Sequence, residues 1–332
     1  MKCICCDSDQ FTEMDYNYYS YQKLKGEENI FNNLLIHICH NCGFSFSYPL
    51  IDKHDLINFY NLNYSSEGTL HAVSWEEKFV NNTKRISPRY FCQLLLIGLF
   101  KDSETIHKIL EIGPGGIKGH QAFRKLGNKA KYYVFEEDLS KHDIINNQNI
   151  NILTPPGDSF FIKEYENSFD LTLMSHSLEH FQYNKIRSII DDIYSMTAIG
   201  GVLMIEVPSE NYLIDERDVN HSPHLCFFTI DSLRNLILKT KFDIIYIEEC
   251  GPRKMNKAYS QNSSIVKDKL KAIWIIYSLV KLFKSLKNLF KIIIDNIYFN
   301  IFSNFDEILQ SEEYKYGKNR CSIRCILKKG QD

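Results

Sequence analysis

Residues 108–136 read KILEIGPGGIKGHQAFRKLGNKAKYYVFE, and this stretch decides the fold. The apolar run over 109–112 predicts a short buried strand, which the glycine-rich turn at 113–116 ends. Helical character follows over 117–126, and a second apolar run over 132–135 predicts the next strand. Strand, glycine turn, helix and strand in this order predict the first half of a nucleotide-binding α/β sheet.

The turn and the two acids beside it indicate which ligand such a sheet would bind. Glycines let backbone N–H groups approach a ligand, because no Cβ stands in the way. Glu136 ends the second strand, where a carboxylate can accept hydrogen bonds from both hydroxyls of a ribose. Glu111 precedes Gly113 by two positions, and a carboxylate there would repel a pyrophosphate but would suit a ligand with an ammonium and a sulfonium.

The pattern E-x-G-x-G, followed by an acid, resembles the first motifs of the class I S-adenosylmethionine-dependent methyltransferases. The matching positions are Glu111, Gly113, Gly115 and Glu136. The resemblance implies a Rossmann-like α/β sheet with helices on both faces and S-adenosyl-L-methionine as cofactor. The family's usual third glycine falls at Ile117, and an additional glycine stands at Gly116, so the loop departs from the family pattern. The alternative is an ordinary tight turn that binds no cofactor.

Length, charge and the N-terminus limit the class of protein. With 332 residues, the chain is long enough for a large core and for more than one domain. Its formal charge of −2 gives no global basic field, so no nucleic-acid partner is expected. No secretory signal is recognised, and the apolar run over 272–280 is too short to span a bilayer. We therefore expect a cytoplasmic protein in a reducing compartment.

The cysteines predict a metal site near the N-terminus. Four of the ten form two C-x-x-C pairs, at Cys3, Cys6, Cys39 and Cys42. Two such knuckles present four thiolates, which make a closed tetrahedral site, so we expect a structural Zn²⁺. Cys5 competes with Cys6 in the first knuckle, and His37 and His40 are alternative ligands. The other interpretation is four free cysteines.

A C-x-x-C…C-x-x-C module ahead of such a core resembles the sugar C-methyltransferases and their relatives in surface-polysaccharide clusters. The resemblance covers residues 3–50 and 108–230 and fades after Cys250. It implies a nucleotide sugar or a surface glycan as acceptor. The predicted organisation is a zinc-binding module (1–60), a linker and covering helix (61–105), the methyltransferase core (106–250), a helical insertion (251–318), and the last strand with a tail (319–332).

Further candidate cofactor residues follow the later strands. Asp158 comes after the strand predicted over 150–153 and matches the family's acid that holds the adenine amino group, with a plain turn aspartate as the alternative. Ser175 and His176 follow the strand predicted over 169–174, and ligands in open α/β sheets bind beyond the carboxyl ends of strands. We therefore expect both side chains to face the cofactor.

Three histidines are candidate general bases. His180 lies in the string S-H-x-L-E-H, which resembles the family's fourth motif. His221 and His224 resemble the segment that lines the acceptor pocket, with His224 the leading candidate and His221 the second. Histidine titrates near neutrality, so each could take a proton from an acceptor at working pH. The alternative is that they are hydrogen-bonded structural residues. Glu206, inside the strand predicted over 202–207, either faces the pocket or pairs with a basic neighbour.

The C-terminal third predicts one more strand and an insertion. The alternating residues 319–327 predict the last, antiparallel strand, paired with the strand predicted over 242–248. Between them, 270–302 is apolar and helical in pattern, with a stripe of lysines. It is interpreted as a lid over the pocket, a homodimer surface, or a helix lying on the inner membrane face.

The predicted function is methyl transfer from S-adenosyl-L-methionine to a nucleotide sugar or surface glycan, by in-line displacement in which positioning supplies most of the catalysis. Two alternatives remain open. The first is an RNA or protein methyltransferase that uses the zinc module for recognition. The second is a non-catalytic binding protein that keeps the fold.

Overall fold

The computed structural model describes residues 1–15, 30–31, 34–63, 88–154, 159–210, 223–250 and 321–330. The predicted insertion over 251–318, with its apolar segment, lies outside these residues. None of the helices within the described ranges has the length and apolar character needed to cross a membrane.

The main sheet has seven strands. They are β4 (Lys108–Ile112), β5 (Lys131–Phe135), β6 (Asn151–Ile152), β7 (Phe169–Ser175), β8 (Thr197–Ser209), β10 (Asp243–Cys250) and β11 (Cys321–Lys328). Their order is β10-β11-β8-β7-β4-β5-β6. The five strands from β8 to β6 run parallel, while β11 is antiparallel to both of its neighbours. Because the chain leaves β4 toward β5 and later returns to β7 on the other side, the sheet has a topological switch point beside β4, where α/β sheets bind ligands.

Helices cover both faces of this sheet. They are α2 (Pro88–Ile97), α3 (Lys118–Lys125), α4 (His142–Asn146), α5 (Tyr183–Met196) and α6 (Ile230–Ile237), with a shorter α1 (Lys53–Asn58) before them. Side chains alternate along β4, so Leu110 joins the apolar core under α5 and α6, while Ile109 joins the core under α2 and α3. The structure thus confirms the Rossmann-like sheet with helices on both faces.

Two elements differ from the sequence prediction. The strand predicted over 202–207 is longer, since β8 begins at Thr197, directly after α5. Backbone hydrogen bonds in both directions between 200–201 and Lys329 extend its pairing with the last strand. The sequence over 139–147 predicts one modest helix, whereas the structure has a 3₁₀ turn (Leu139–Lys141) followed by the short α4. The last strand pairs with β10 as predicted, and it also fills the position between β10 and β8.

A second sheet carries the cysteine knuckles. It consists of β1 (Phe11–Asp15), β2 (Leu35–Cys39), β3 (Ser45–Tyr48) and β9 (Cys226–Phe227), all antiparallel. The strand β9 belongs to the core in sequence, so the N-terminal module is hydrogen-bonded into the segment between β8 and α6. This segment also contains His224, and the module therefore bears directly on the candidate site.

Candidate active site

The glycine turn lies at the carboxyl end of β4 and is open on one side. Gly113, Gly115 and Gly116 have φ angles of +62°, +59° and +154°, which L side chains rarely adopt. A Cβ placed on Gly115 or Gly116 would meet no atom of the described residues within 4 Å. The N–H of Gly113 donates to the carbonyl of Phe135 at 2.8 Å and so ties the turn to β5. The turn therefore has both the backbone freedom and the space that a bound ligand needs.

Glu136 stands beside this turn, as the sequence predicts. Its Oε2 accepts a hydrogen bond from the Gly115 N–H at 2.8 Å, and its Oε1 accepts one from the Asp138 N–H at 2.9 Å. Burial raises the pKa of the Glu136 carboxyl, which the two backbone donors partly oppose. The carboxylate is thus oriented at the end of β5, and together with the open turn it fits a nucleoside ligand with ribose hydroxyls.

Glu111 lies beneath the turn, and its contact with the cofactor stays a prediction. The side chain is buried, and its two oxygens accept hydrogen bonds from the Tyr90 hydroxyl at 2.9 Å and the Tyr132 hydroxyl at 2.7 Å. A Cβ on Gly119 would come within 2.5 Å of this carboxylate, so only glycine lets α3 pack over it. Glu111 thereby joins α2, α3 and β5 beneath the turn, and its hydrogen bonds make it a support for the turn.

Glu111 also predicts a pH dependence of stability. Burial raises the pKa of its carboxyl from 4.5 to about 7, although the two tyrosines donate to it. Since the folded pKa lies above the unfolded one, stability falls as pH rises from about 4.5 to about 7, by at most about 3 kcal/mol. Glu111→Gln should flatten this part of the curve in denaturant unfolding series, whereas Glu164→Gln, at an exposed position, should not. If the free energy of unfolding depended on pH equally in both variants, Glu111 would not be the group responsible for this pH dependence.

Four ionisable side chains meet beyond the carboxyl end of β7: His176, Glu179, His180 and His224. The Nδ1 of His176 lies 3.3 Å from Glu179 Oε1, and the Nε2 of His224 lies 3.9 Å from the same oxygen. The rings of His180 and His224 are 5.0 Å apart, edge to face. The structure thus brings together two of the three histidines predicted as bases, from segments 44 positions apart in the sequence.

A buried polar network holds this cluster from the sheet side. Arg324 of β11 donates from Nε to Glu206 Oε2 at 2.6 Å, and both side chains are fully buried. Gln93 of α2 donates to Glu206 Oε2 at 2.9 Å and to Ser175 Oγ at 2.7 Å. The Nε2 of His176 lies 3.3 Å from the other oxygen of Glu206. The sequence allowed Glu206 either to face the pocket or to pair with a basic neighbour. The structure shows the pairing.

His176 is held in an uncommon backbone conformation by this network. Its φ is +55°, a region that non-glycine residues seldom occupy, and its N–H donates to the Glu206 carbonyl at 2.8 Å. Burial lowers its pKa, but contacts with Glu179 and Glu206 outweigh burial and raise the pKa above the ordinary value. The ring is thus directed between two carboxylates, and a cofactor contact by His176 remains a prediction, as it does for Ser175.

Sequence reasoning missed several residues of the site. Glu179 stands in the quoted S-H-x-L-E-H string but received no role, and the hydroxyl of Tyr60 lies 3.1 Å from Nδ1 of His180. The covering helix α2 contributes Arg89 and Gln93, two polar residues within a largely apolar pattern, which was the available signal. Asp158 and His221 lie outside the described residues, so their predicted roles remain predictions.

The four predicted cysteines converge as a candidate metal centre. The Sγ atoms of Cys3 and Cys42 are 3.6 Å apart, and those of Cys6 and Cys39 are 3.5 Å apart. A tetrahedral zinc site with Zn–S bonds of about 2.3 Å separates its sulfurs by about 3.8 Å, so the four thiols fit Zn²⁺. Cys5 is also buried nearby, but the set in which every ligand atom lies within 4.8 Å of the others contains the four predicted cysteines.

The two histidines considered as alternative ligands contact other groups. The ring of His37 stacks on Phe46, and its Nε2 lies 3.4 Å from Glu13 Oε1. The Nε2 of His40 hydrogen-bonds the hydroxyl of Thr12. The structure therefore does not place either histidine among the metal ligands, because both rings contact side chains of β1 or β3 instead.

Backbone hydrogen bonds connect the zinc module to the histidine cluster. The Ser47 N–H of β3 donates to the Leu225 carbonyl at 2.9 Å, and the Leu225 N–H donates to the Glu179 carbonyl at 2.8 Å. The Thr229 hydroxyl donates to the Cys42 carbonyl at 2.7 Å. The segment that carries His224 is thus fixed between the knuckle and the turn that carries Glu179.

Comparisons with known proteins find a matching family model and several similar solved structures. Residues 83–247 match the family model described as a methyltransferase domain. Among curated proteins, none matches the chain. The phosphoethanolamine N-methyltransferase 2 of Haemonchus contortus, solved with S-adenosyl-L-methionine, is 15% identical; the match covers 92% of this chain and 70% of that one, with a TM-score of 0.49.

Two other solved structures are similar at comparable levels. The 1,6-didemethyltoxoflavin-N1-methyltransferase of Burkholderia thailandensis, solved with 1,6-didemethyltoxoflavin and S-adenosylhomocysteine, is 14% identical over 69% of this chain and 93% of that one, with a TM-score of 0.40. The [4+2]-cyclase SpnF is 12% identical over 74% of this chain and 83% of that one, with a TM-score of 0.43.

Proposed function

We propose that this chain, of which residues 83–247 match the model of a methyltransferase domain, transfers a methyl group from S-adenosyl-L-methionine to a small-molecule acceptor, with a nucleotide sugar or a surface glycan as the favoured class. The observation that carries the proposal is the placement of an open glycine turn, an oriented Glu136 and a histidine cluster at the carboxyl ends of adjacent strands. The preference for sugars rests on the N-terminal cysteine module, through its resemblance to sugar C-methyltransferases.

The residues of the turn provide the cofactor side. When bound, S-adenosyl-L-methionine supplies a methyl on a positively charged sulfur; the acceptor's electron pair forms the new bond, the S–C bond breaks, and its electrons stay on sulfur. The 113–116 turn offers backbone N–H groups and space, and Glu136 offers its carboxylate to the ribose hydroxyls. Glu111 holds the turn from below through Tyr90 and Tyr132.

The histidine cluster provides the acceptor side. With no metal ion in the cluster, His224 accepts the acceptor's proton. His221, the second candidate from the sequence, lies outside the described residues, and His180 is the alternative base among those described. Burial lowers the pKa of His180, so its imidazole is neutral at working pH and can take up a proton. Glu179 stabilises the charge that such an imidazole gains, because its carboxylate faces both rings.

The proposal is tested by calorimetric titration of S-adenosyl-L-methionine into the zinc-loaded protein. We expect the wild type to bind and Glu136→Ala to bind at least about tenfold more weakly. The variant lacks the carboxylate oxygens that accept hydrogen bonds from the ribose hydroxyls. Glu104→Ala is the matched control, because Glu104 is exposed near the amino end of β4, opposite the turn. An acceptor screen then begins with nucleotide sugars. Absence of binding to the wild type would overturn the proposal.

A further inference from the structure

Glu179, His180 and His224 form a compact group of metal-ligand types outside the cysteine site. One ligand atom from each residue lies within 4.8 Å of one from each of the others. Glu179 and His180 come from the 3₁₀ turn Leu178–His180, and His224 comes from the segment before β9. We propose that these three side chains bind a divalent cation of the Zn²⁺, Co²⁺ or Mn²⁺ type beside the cofactor site.

The carboxylate of Glu179 is the first argument. The residue is fully buried, and neither of its oxygens has a hydrogen-bond partner among the described residues. A buried carboxylate is costly unless its charge is compensated by close, well-aligned partners. Glu206 is equally buried but accepts hydrogen bonds from Arg324 and Gln93. Among the described residues, the ionic contacts of Glu179 are with imidazoles, at 3.3 Å from His176 and 3.9 Å from His224, so its oxygens can still accept a further partner.

No arginine pairs with Glu179 among the described residues. Arg324 and Arg89 contact Glu206 instead, at 2.6 Å and 3.8 Å. A cation at the cluster would therefore meet a buried carboxylate whose charge no arginine neutralises there.

The donor set selects the class of cation. Two imidazoles and one carboxylate suit borderline transition metals, while Mg²⁺ and Ca²⁺ prefer sites built entirely from oxygen ligands. Three protein ligands also leave coordination positions open, as in catalytic zinc sites. The Nδ1 of His180 lies 3.1 Å from the Tyr60 hydroxyl, and outer-shell partners of this kind commonly orient histidine ligands.

The two segments are held at a fixed distance before any cation binds. The Leu225 N–H donates to the Glu179 carbonyl at 2.8 Å and thereby joins the residue after His224 to the residue before His180. The strand β3 fixes Leu225 in turn through Ser47. Preorganisation of this kind reduces the cost of assembling ligands from distant parts of the chain.

The inference rests on the proposed function and extends it to the acceptor. A cation in this cluster would present open positions to an acceptor with two neighbouring oxygens, such as a diol or a hydroxyketone. Coordination lowers the pKa of a bound hydroxyl, as it does for water, so the acceptor proton would pass to solvent water. The base role and the ligand role exclude one another, since a nitrogen that binds a cation has no lone pair for a proton.

The test is a titration of Co²⁺ into protein whose cysteine site is already filled with zinc. Calorimetry measures the affinity, and visible absorption separates nitrogen and oxygen ligation from thiolate ligation by its charge-transfer band. We expect the wild type to bind Co²⁺ without a thiolate band, and Glu179→Gln and His224→Gln to bind at least about tenfold more weakly. His54→Gln is the matched control, because His54 is an exposed histidine that hydrogen-bonds Asn58.

Three outcomes would overturn the proposal: no Co²⁺ binding to the wild type at about millimolar concentration, binding that appears with a thiolate band, or equal affinity in the two cluster variants and the control. S-adenosyl-L-methionine is titrated into the same proteins. If the wild type binds the cofactor but not Co²⁺, only the proposed cation site is refuted. If the wild type binds neither, the proposed function is refuted as well. Since Glu179 is fully buried, the more exposed His224 keeps the test decisive if Glu179→Gln fails to fold.

Discussion

Arg324→Met should lower the free energy of unfolding by about 3 to 5 kcal/mol, because it leaves the buried Glu206 carboxylate without its cation. The two side chains are fully buried and 2.6 Å apart, and they join the neighbouring strands β8 and β11. The double variant Glu206→Gln/Arg324→Met should regain most of this loss, since it also removes the uncompensated charge. Denaturant unfolding followed by circular dichroism measures both.

Arg234→Met is the matched control for this prediction. Arg234 pairs with Asp231 at 3.3 Å on the exposed side of α6, and surface pairs contribute at most about 1 kcal/mol. An equal loss in both single variants would show that the effect comes from the arginine stem rather than from the buried pair. A double variant that is no more stable than Arg324→Met would contradict the electrostatic explanation.

The same ion pair determines how the protein responds to acid. Burial acts to raise the pKa of Glu206, but the charges of Arg324, His176 and Arg89 hold it far below the ordinary value. A depressed pKa contributes stability that is present above the unfolded pKa and is lost as pH falls toward the folded pKa. The contribution of Glu206 is therefore complete near neutrality and decreases below about pH 4.

Cys39→Ser should abolish zinc binding and unfold the N-terminal module. Structural zinc contributes about 10 to 16 kcal/mol in small zinc-dependent modules, which is more than the contacts of three short strands can replace. Metal analysis should show the loss of about one zinc per chain, that of the cysteine site, and an early thermal transition should appear. Affinity for S-adenosyl-L-methionine should stay within about threefold, because β4 and β5 build the glycine turn without the module.

Cys5→Ala provides the matched control, since Cys5 is a buried thiol in the same knuckle and lies outside the four-cysteine set. This variant should keep its zinc and its thermal transition. Zinc loss in Cys5→Ala together with zinc retention in Cys39→Ser would reassign the ligands. Because the module holds Leu225, the Cys39→Ser variant should also weaken Co²⁺ binding at the histidine cluster.

Local patterns were sufficient for much of the fold. The 109–112 strand, the glycine turn and the acid at Glu136 are contiguous, so their hydrophobic period and turn chemistry were visible without tertiary information. The same holds for the capping box of α6, in which Thr229 and Ser232 exchange hydrogen bonds. The predicted strand positions agree with the structure to within a few residues, except where pairing with β11 extends β8.

Long-range contacts were out of reach of the same reasoning. Nothing near Glu206 in the sequence identifies Arg324 as its partner, because the two residues are 118 positions apart and meet only when β11 inserts beside β8. Glu111 is an example in which the local motif was visible in the sequence but the contacts of the side chain were not. Its position in the motif suggested a ligand contact, but the direction of its side chain depends on Tyr90 and Tyr132, which arrive from other elements.

The sequence by itself determined the nucleotide-binding half of the sheet, the two cysteine knuckles and the candidate histidines. Each of these features consists of residues a few positions apart, so its conformation and chemistry can be inferred without tertiary contacts. Tertiary structure alone decided that His180 and His224 face one buried carboxylate, and that the N-terminal cysteine module holds the segment that carries His224. Those contacts depend on strand order and on packing between distant segments. The partners of a buried charge are therefore known only from the folded structure.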